Sequence, residues 1–300
     1  MFHLPARLSL LVALLLVGCD PVLGDGTPGG GDSLPPFTPG EPAFAVLGPV
    51  ESGGGAAVIV LDGNGTELAR YATGNDVNPW EEWYLAWDPA GAFYVRENGS
   101  RMMHLDIESG EVQEFAVGWD NSEGRAAVRD DGRVAVVDGG VLSEFSVGGS
   151  LLRRFDDPEG WRDVLVDSDG TMFGAFGEGS VLRVPDDAEP TLVAEFAGGV
   201  DGLGLDGGGA FWSTGYPERL QWVLPGERPV EMQAARDQLR SWVPSIEGAG
   251  IESVFALSCE GSPSVVCGVS EVSRSGNVRD LFEEEQFWVD LVVLDARFVL

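Results

Sequence analysis

The chain of 300 residues contains no lysine, so all 18 of its basic residues are arginine, against 49 acidic residues. The resulting formal net charge of −31 repels nucleic-acid phosphates and anionic lipid headgroups. The charge therefore disfavours nucleic-acid binding and polybasic recognition of membranes. The 43 glycines and 18 prolines, spread along the whole chain, also exclude a helical bundle or a coiled coil.

Histidine is almost absent too, and His104 is the only one beyond the first 18 residues. A Ser-His-Asp site would have to use His104, and no Gly-x-Ser-x-Gly sequence offers a nucleophile. A histidine-rich zinc site is excluded by the same count. We expect His104 to be an ordinary strand residue.

The first residues have the pattern of an export signal. One cation, Arg7, precedes an apolar run from Leu8 to Val17, which has the length of a signal-peptide core and is too short to span a bilayer. The run ends in Leu16-Val17-Gly18-Cys19, which resembles the lipobox of bacterial lipoproteins. The resemblance implies cleavage before Cys19 and its acylation with diacylglycerol and palmitate. An ordinary secretory signal is the alternative.

Residues 20–42 are rich in Gly, Pro and Asp and have too few apolar side chains to pack. A flexible tether of this length reaches ~25 Å from its anchor. The expected organisation is a signal peptide at residues 1–18, an acylated cysteine and tether at 19–42, and one domain at 43–300. The domain is then expected outside the cytoplasm of a bacterium, anchored to the inner or the outer membrane through the lipid.

A unit of about 40 residues recurs in the domain: an apolar run, an acidic turn with glycine, and a second apolar run. The turn glycines are Gly91, Gly132, Gly170, Gly209 and, in a weaker copy, Gly250, at steps of 38 to 41 residues. This period, with short strands, is typical of a four-stranded propeller blade. Apolar faces on both sides of a blade are buried only when blades stack around a ring.

The two ends of the domain complete one another. Residues 56–61 and 66–72 have the pattern of outer strands, and residues 288–295 and 298–300 have that of the first two strands of a unit. Pairing them gives one shared blade and leaves no exposed edge. Five copies and the shared blade predict an all-β fold, a six-bladed β-propeller. A seven-bladed ring is the alternative, and it needs another blade within residues 41–80.

The turn from Val166 to Phe173, Val-Asp-Ser-Asp-Gly-Thr-Met-Phe, resembles the repeat turn of six-bladed propellers. These include the NHL-repeat, gluconolactonase (senescence-marker)-like and strictosidine-synthase-like families, and TolB-like propellers share the architecture. The resemblance implies the fold. In the gluconolactonase-like families it also implies a divalent metal near one mouth of the central channel, held by carboxylate and amide ligands.

Four carboxylates lie seven to nine residues ahead of the turn positions, where the innermost strands begin. They are Glu82, Asp163, Asp201 and Asp290. Carboxylates that converge at a channel mouth repel one another unless a cation neutralises them, and Ca²⁺ takes six to eight oxygen ligands. The four are therefore the candidate metal ligands, with Ca²⁺ as the expected ion. A ring of solvated acids is the alternative.

Cys259 and Cys267 flank a turn sequence centred on Pro263, which places them on facing strands of a hairpin. In an exported protein we expect a structural disulfide, with a redox pair or metal ligands as the alternative. The segment Asp62-Gly63-Asn64-Gly65 has oxygen side chains as calcium loops do, but it lacks the full pattern. We expect a hairpin turn there.

The sequence thus predicts a cell-envelope lipoprotein whose propeller is a binding or scaffold module for a protein, peptide or glycan partner. No catalytic residue is assigned in this interpretation. The alternative is a metal-dependent lactonase or related hydrolase that uses the four carboxylates as metal ligands. A periplasmic assembly component of the TolB type is a third possibility.

Overall fold

The fold is known from a computed structural model. It describes residues 43–49, 55–76, 84–88, 90–97, 101–117, 125–156, 160–215, 219–240, 242–261, 265–285, 288 and 290–294. Six four-stranded antiparallel sheets form the blades of a β-propeller. One short helix, α1 (Gln233–Arg236), follows the fifth blade. Over these ranges, no helix has the length and apolar character needed to cross a membrane.

The four strands of each blade follow one another from the channel outward. Blade 1 contains β24 (Asp290–Val293), β1 (Phe44–Pro49), β2 (Gly55–Leu61) and β3 (Glu67–Asp76). Blade 2 contains β4 (Leu85–Asp88), β5 (Ala92–Glu97), β6 (Arg101–Asp106) and β7 (Val112–Val117). Blade 3 contains β8 (Ala126–Val128), β9 (Val134–Asp138), β10 (Val141–Phe145) and β11 (Leu151–Asp156).

The second half of the ring repeats this order. Blade 4 contains β12 (Trp161–Val166), β13 (Met172–Phe176), β14 (Ser180–Val184) and β15 (Thr191–Glu195). Blade 5 contains β16 (Gly202–Leu205), β17 (Phe211–Gly215), β18 (Arg219–Val223) and β19 (Val230–Glu231). Blade 6 contains β20 (Trp242–Gly250), β21 (Ser253–Gly261), β22 (Val265–Ser273) and β23 (Val278–Glu284). The innermost strands contact one another in a closed circle, β24-β4-β8-β12-β16-β20.

The shared blade confirms that the two ends of the domain close the ring. The strands that form this blade differ, however, from those predicted. The strand next to β24 is β1, with Phe44 opposite Val293 and Leu47 opposite Asp290. The predicted partner, residues 298–300, lies outside the described residues. The run that begins at Phe44 forms the second strand from the channel, because its apolar side chains are almost fully buried between blades 2 and 6. One strand from the C-terminal side and three from the N-terminal side therefore form blade 1.

Strand β9 shows why the blades are apolar on both faces. Val134 and Val136 pack toward blade 2, whereas Ala135 and Val137 pack toward blade 4. All four side chains are fully buried. Each sheet is thus a layer between two others, and its strands need not alternate between apolar and polar residues.

The turns after the innermost strands of blades 2, 4 and 5 are each built on one carboxylate, from Asp88, Asp167 and Asp206. Asp167 Oδ1 accepts the N–H groups of Asp169 and Thr171 at 3.0 and 2.7 Å. Gly170 closes the turn by donating its N–H to the carbonyl of Asp167, with φ at +74°. Asp62 accepts equivalent bonds in the β2–β3 hairpin, which confirms a turn there. In the weaker fifth copy the prediction was wrong in detail, because Gly250 is the last residue of β20 and the turn comes after it.

Candidate functional site

A cavity of about 370 Å³ follows the axis of the ring and is lined by residues of all six innermost strands. This volume lies at the lower end of the range found for small-ligand pockets. Six charged residues line it. Asp167 accepts backbone N–H groups of its own turn, and Asp206 is paired with Arg274. The other four are Arg125, Asp163, Glu247 and Asp290. We call these four residues the channel cluster.

Two members of the channel cluster, Asp163 and Asp290, bridge adjacent innermost strands. Asp163 lies on β12 and accepts the N–H of Leu203 on β16 at 2.6 Å. Asp290 lies on β24 and accepts the N–H of Leu85 on β4 at 2.7 Å. The other oxygen of each carboxylate accepts the N–H of the next residue in its own strand. Both carboxylates therefore hold the ring together by hydrogen bonds that join neighbouring blades.

Arg125 precedes β8 and occupies the position in blade 3 that Asp163 occupies in blade 4, seven residues ahead of the turn glycine. Its guanidinium forms a direct ion pair with Asp290. Burial alone would lower the pKa of Arg125, but the charges of Asp290, Asp163 and Glu247 outweigh burial and raise it. The channel therefore contains one permanently charged guanidinium.

Glu247 differs from the two aspartates because it makes no hydrogen bond to any residue that the structure describes. It lies on β20, is half-buried and lines the cavity. Burial, and then the charges of Asp290 and Asp163, raise its pKa to about 8, with Arg125 opposing. Burial also raises the pKa of Asp163 to about 7, opposed by Arg125 and by its two backbone hydrogen bonds. At neutral pH Glu247 is thus mostly a neutral acid.

Glu247 has both charged and apolar residues around it. Ser245 lies at the level of the aspartates, because its Oγ donates to the carbonyl of Leu291, the residue after Asp290. Glu247 lies two residues further along β20. The residues two positions beyond the other channel-cluster members are Ala127, Leu165 and Val292, and all of them line the cavity. Glu247 is thus an ionisable group in an apolar stretch of the channel.

The four predicted metal ligands do not meet at one point among the described residues. Asp163 and Asp290 lie in the channel, whereas Asp201 is exposed ahead of β16, with its backbone N–H donating to the carbonyl of Thr214 at 2.7 Å. Glu82 lies outside the described residues. Within the described ranges no group of three or more His, Cys, Asp or Glu side chains is placed to hold a metal.

The channel cluster also does not fit the divalent metal that the gluconolactonase-like resemblance implies. The oxygens of Asp163 and Asp290 already accept backbone N–H groups. The guanidinium of Arg125 is bound to Asp290 where a metal would need to approach, and it would repel a second cation there. Calcium binding therefore stays a prediction from the sequence, and no chemistry is derived from it.

Sequence reasoning missed Arg125 and Glu247. Arg125 is not a carboxylate, so the pattern that predicts the metal ligands does not include it. Its seven-residue spacing from Gly132 nevertheless matches that of Asp163 from Gly170. Glu247 lies too close to Gly250 to be found by the seven-residue spacing. Its one signal is an acid within the apolar run Ile246-Glu247-Gly248-Ala249.

The remaining candidate residues lie away from the channel. Cys259 and Cys267 form a disulfide, with sulfur atoms 2.02 Å apart, between facing residues of β21 and β22. Both are buried, as expected of a structural bond. His104 is on β6, the third strand of blade 2, where its ring lies 5.1 Å from that of Tyr94. Cys19, the predicted lipidation site, lies outside the described residues.

Comparison with solved structures returns propellers of several kinds. Virginiamycin B lyase from Staphylococcus aureus is 13% identical, with 79% of this chain and 83% of that chain covered and a TM-score of 0.54. A gluconolactonase from Xanthomonas campestris is 13% identical, with 86% and 91% covered and a TM-score of 0.53. The WD40 repeats of RRP9 are 11% identical, with 81% and 80% covered and a TM-score of 0.55.

These likenesses show the fold alone, because the propeller is shared by lyases, lactonases and WD40 scaffolds. No family model matches the chain. No curated protein matches it either.

Proposed function

We propose that this protein is a lipid-anchored binding module of the bacterial cell envelope, whose central channel receives part of a protein, peptide or glycan partner. Cys19 carries the lipid in this proposal, and residues 20–42 hold the propeller away from the membrane. The observation that carries it is the axial cavity with an unpartnered carboxyl, Glu247, on its wall. A group that is costly to bury and serves no internal bond is typical of a ligand site.

The other channel acids favour binding over metal-dependent hydrolysis. Asp163 and Asp290 are used as bridges between blades, and Arg125 neutralises Asp290. A catalytic cation would have to displace these bonds. The channel offers Glu247 to whatever enters.

The binding proposal is tested by closing the channel. Ser168 is exposed in the β12–β13 turn and lines the cavity, so Ser168→Trp places a large side chain at the mouth with little effect on folding. Ser275→Trp, in the exposed β22–β23 turn away from the channel, is the matched control. Full-length protein, cross-linked in its own membrane and analysed by mass spectrometry, should yield a partner with the wild type and the control but not with Ser168→Trp. An identical set of cross-links for all three would contradict the proposal.

The anchor is tested separately. Mass spectrometry of the mature N-terminus should find an acylated Cys19, and Cys19→Ser should release the protein from the membrane fraction. An unmodified N-terminus elsewhere would indicate an ordinary secretory signal.

Lactonase activity is the competing function. The purified protein, assayed on aldonolactones after chelation and again with millimolar Ca²⁺, should show no calcium-dependent hydrolysis. Calcium-dependent turnover that Asp163→Asn abolishes would replace binding by catalysis as the function.

A further inference from the structure

The channel cluster is unbalanced in charge. Three carboxyl groups, Asp163, Glu247 and Asp290, face one cation, Arg125, in a part of the ring enclosed by protein. Arg125 is committed to Asp290 by a direct ion pair. The other two carboxyl groups have no cation of their own among the described residues. Asp163 accepts two backbone N–H groups, which leaves Glu247 as the carboxyl group beside which the channel can receive a further positive charge.

The missing cation should be organic and not a metal ion. The channel already accommodates a guanidinium, Arg125, at the level of the two aspartates. Glu247 lies two residues further along β20, towards the turn end of the channel, and the apolar residues Leu165 and Val292 also line the cavity. A guanidinium or alkylammonium group on an apolar stem matches this arrangement, because its head pairs with the carboxyl while its stem lies against the apolar wall. A metal ion would need several carboxylate oxygens at once, which the cluster does not provide.

We propose that the channel binds an organic cation, the guanidinium or ammonium head of a basic side chain or a small amine, through Glu247. The inference rests on the proposed binding function and names the chemistry of its ligand. The cavity of about 370 Å³ is of the right order for one such group with its stem. The net charge of −31 adds long-range attraction for a basic partner.

Proton release identifies this mode of binding. Free Glu247 is mostly protonated at pH 7, because burial and the neighbouring Asp163 and Asp290 raise its pKa to about 8 while Arg125 opposes. A cation placed beside it stabilises the ionised form, so binding should release close to one proton. Binding that does not involve Glu247 should release no such proton.

The experiment is titration calorimetry of the full-length protein in detergent at pH 7, in two buffers that differ in ionisation enthalpy. The probes are the blocked tripeptide acetyl-Gly-Arg-Gly-amide, its uncharged citrulline analogue, spermidine, and calcium chloride. The arginine peptide or spermidine should bind with proton release, and the citrulline peptide should not bind. The peptide and the polyamine arms distinguish a partner's side chain from a free amine.

Two variants make the test specific. Glu247→Gln is isosteric, breaks no hydrogen bond and should weaken binding about 10- to 100-fold while abolishing proton release. Glu195→Gln, on the exposed outer strand β15, removes the same charge far from the channel and should change neither. Thermal melts confirm that both variants are folded.

The outcomes separate this inference from the function on which it rests. Equal binding by wild type and Glu247→Gln, binding of calcium alone, or no binding of either organic cation would overturn the cation site. A partner lost on Ser168→Trp would still support the binding module in those cases. If the partner cross-links also persist in Ser168→Trp, both proposals fail.

Discussion

Replacing Arg125 by Met should destabilise the ring strongly, because it leaves the carboxylate of Asp290 buried without its counter-ion. Asp290 has only 3% of its side chain exposed, and Arg125 has 19%. Breaking a buried ion pair by removing one partner costs about 3–5 kcal/mol. For a domain of this size, each kcal/mol lowers Tm by about 2–4 °C, so a fall of roughly 6–20 °C is expected.

The assay is urea unfolding followed by tryptophan fluorescence, with thermal melts as a second measurement. Adding Asp290→Asn to Arg125→Met should recover part of the loss. The recovery stays partial because an amide has one oxygen to accept the two backbone bonds that Asp290 accepts. Arg279→Met is the control, since Arg279 is 70% exposed and its pair with Glu271 is worth less than about 1 kcal/mol. A loss at Arg125 no larger than at Arg279 would refute the assigned role of the ion pair.

Three further predictions concern the rest of the ring. Replacing Cys259 and Cys267 by Ser should cost about 2–3 kcal/mol by urea unfolding, as expected for a short disulfide loop; no loss would mean the bond does not form. Arg274→Met should cost on the order of 3 kcal/mol, because it removes two hydrogen bonds, 2.7 and 2.5 Å long, from the buried carboxylate of Asp206; a loss below 1 kcal/mol would contradict this. The folded protein keeps protons on Glu247 up to about pH 8 and on Asp163 up to about pH 7, whereas the unfolded chain loses both above pH ~4.5. Stability should therefore fall from pH 5 to 8 by up to about 1.4 kcal/mol per pH unit for each group, and Glu247→Gln should remove the part that belongs to Glu247.

The architecture could be predicted because its signals are local and repeated. The turn at Asp167–Gly170 uses a carboxylate to accept backbone N–H groups and a glycine at positive φ, and both recur in blades 2 and 5. The blades and their order follow from the period of the turn glycines, and the facing cysteines follow from the turn sequence centred on Pro263. Strand β1 was missed because its apolar run at Phe44 is short and follows a tether, and only its burial between two blades makes it an inner strand.

The chemistry of the channel could not be predicted in the same way. The spacing in the sequence correctly predicted that Asp163 and Asp290 lie on innermost strands. It could not show that their oxygens accept hydrogen bonds from the backbone of the next blade. Those bonds join residues far apart in the chain. The pairing of Arg125 with Asp290 joins blades 3 and 1 across 165 residues. The lack of a hydrogen-bond partner for Glu247 is visible only when all six inner strands surround it.

The most direct test of a cation-binding channel is a crystal structure of the protein soaked with acetyl-Gly-Arg-Gly-amide. The account predicts the peptide's guanidinium in the axial cavity, within hydrogen-bond distance of the Glu247 carboxyl, with Arg125 still bound to Asp290. A channel that stays empty while the peptide lies on the outer acids, or a metal ion held by Asp163 and Asp290, would contradict it.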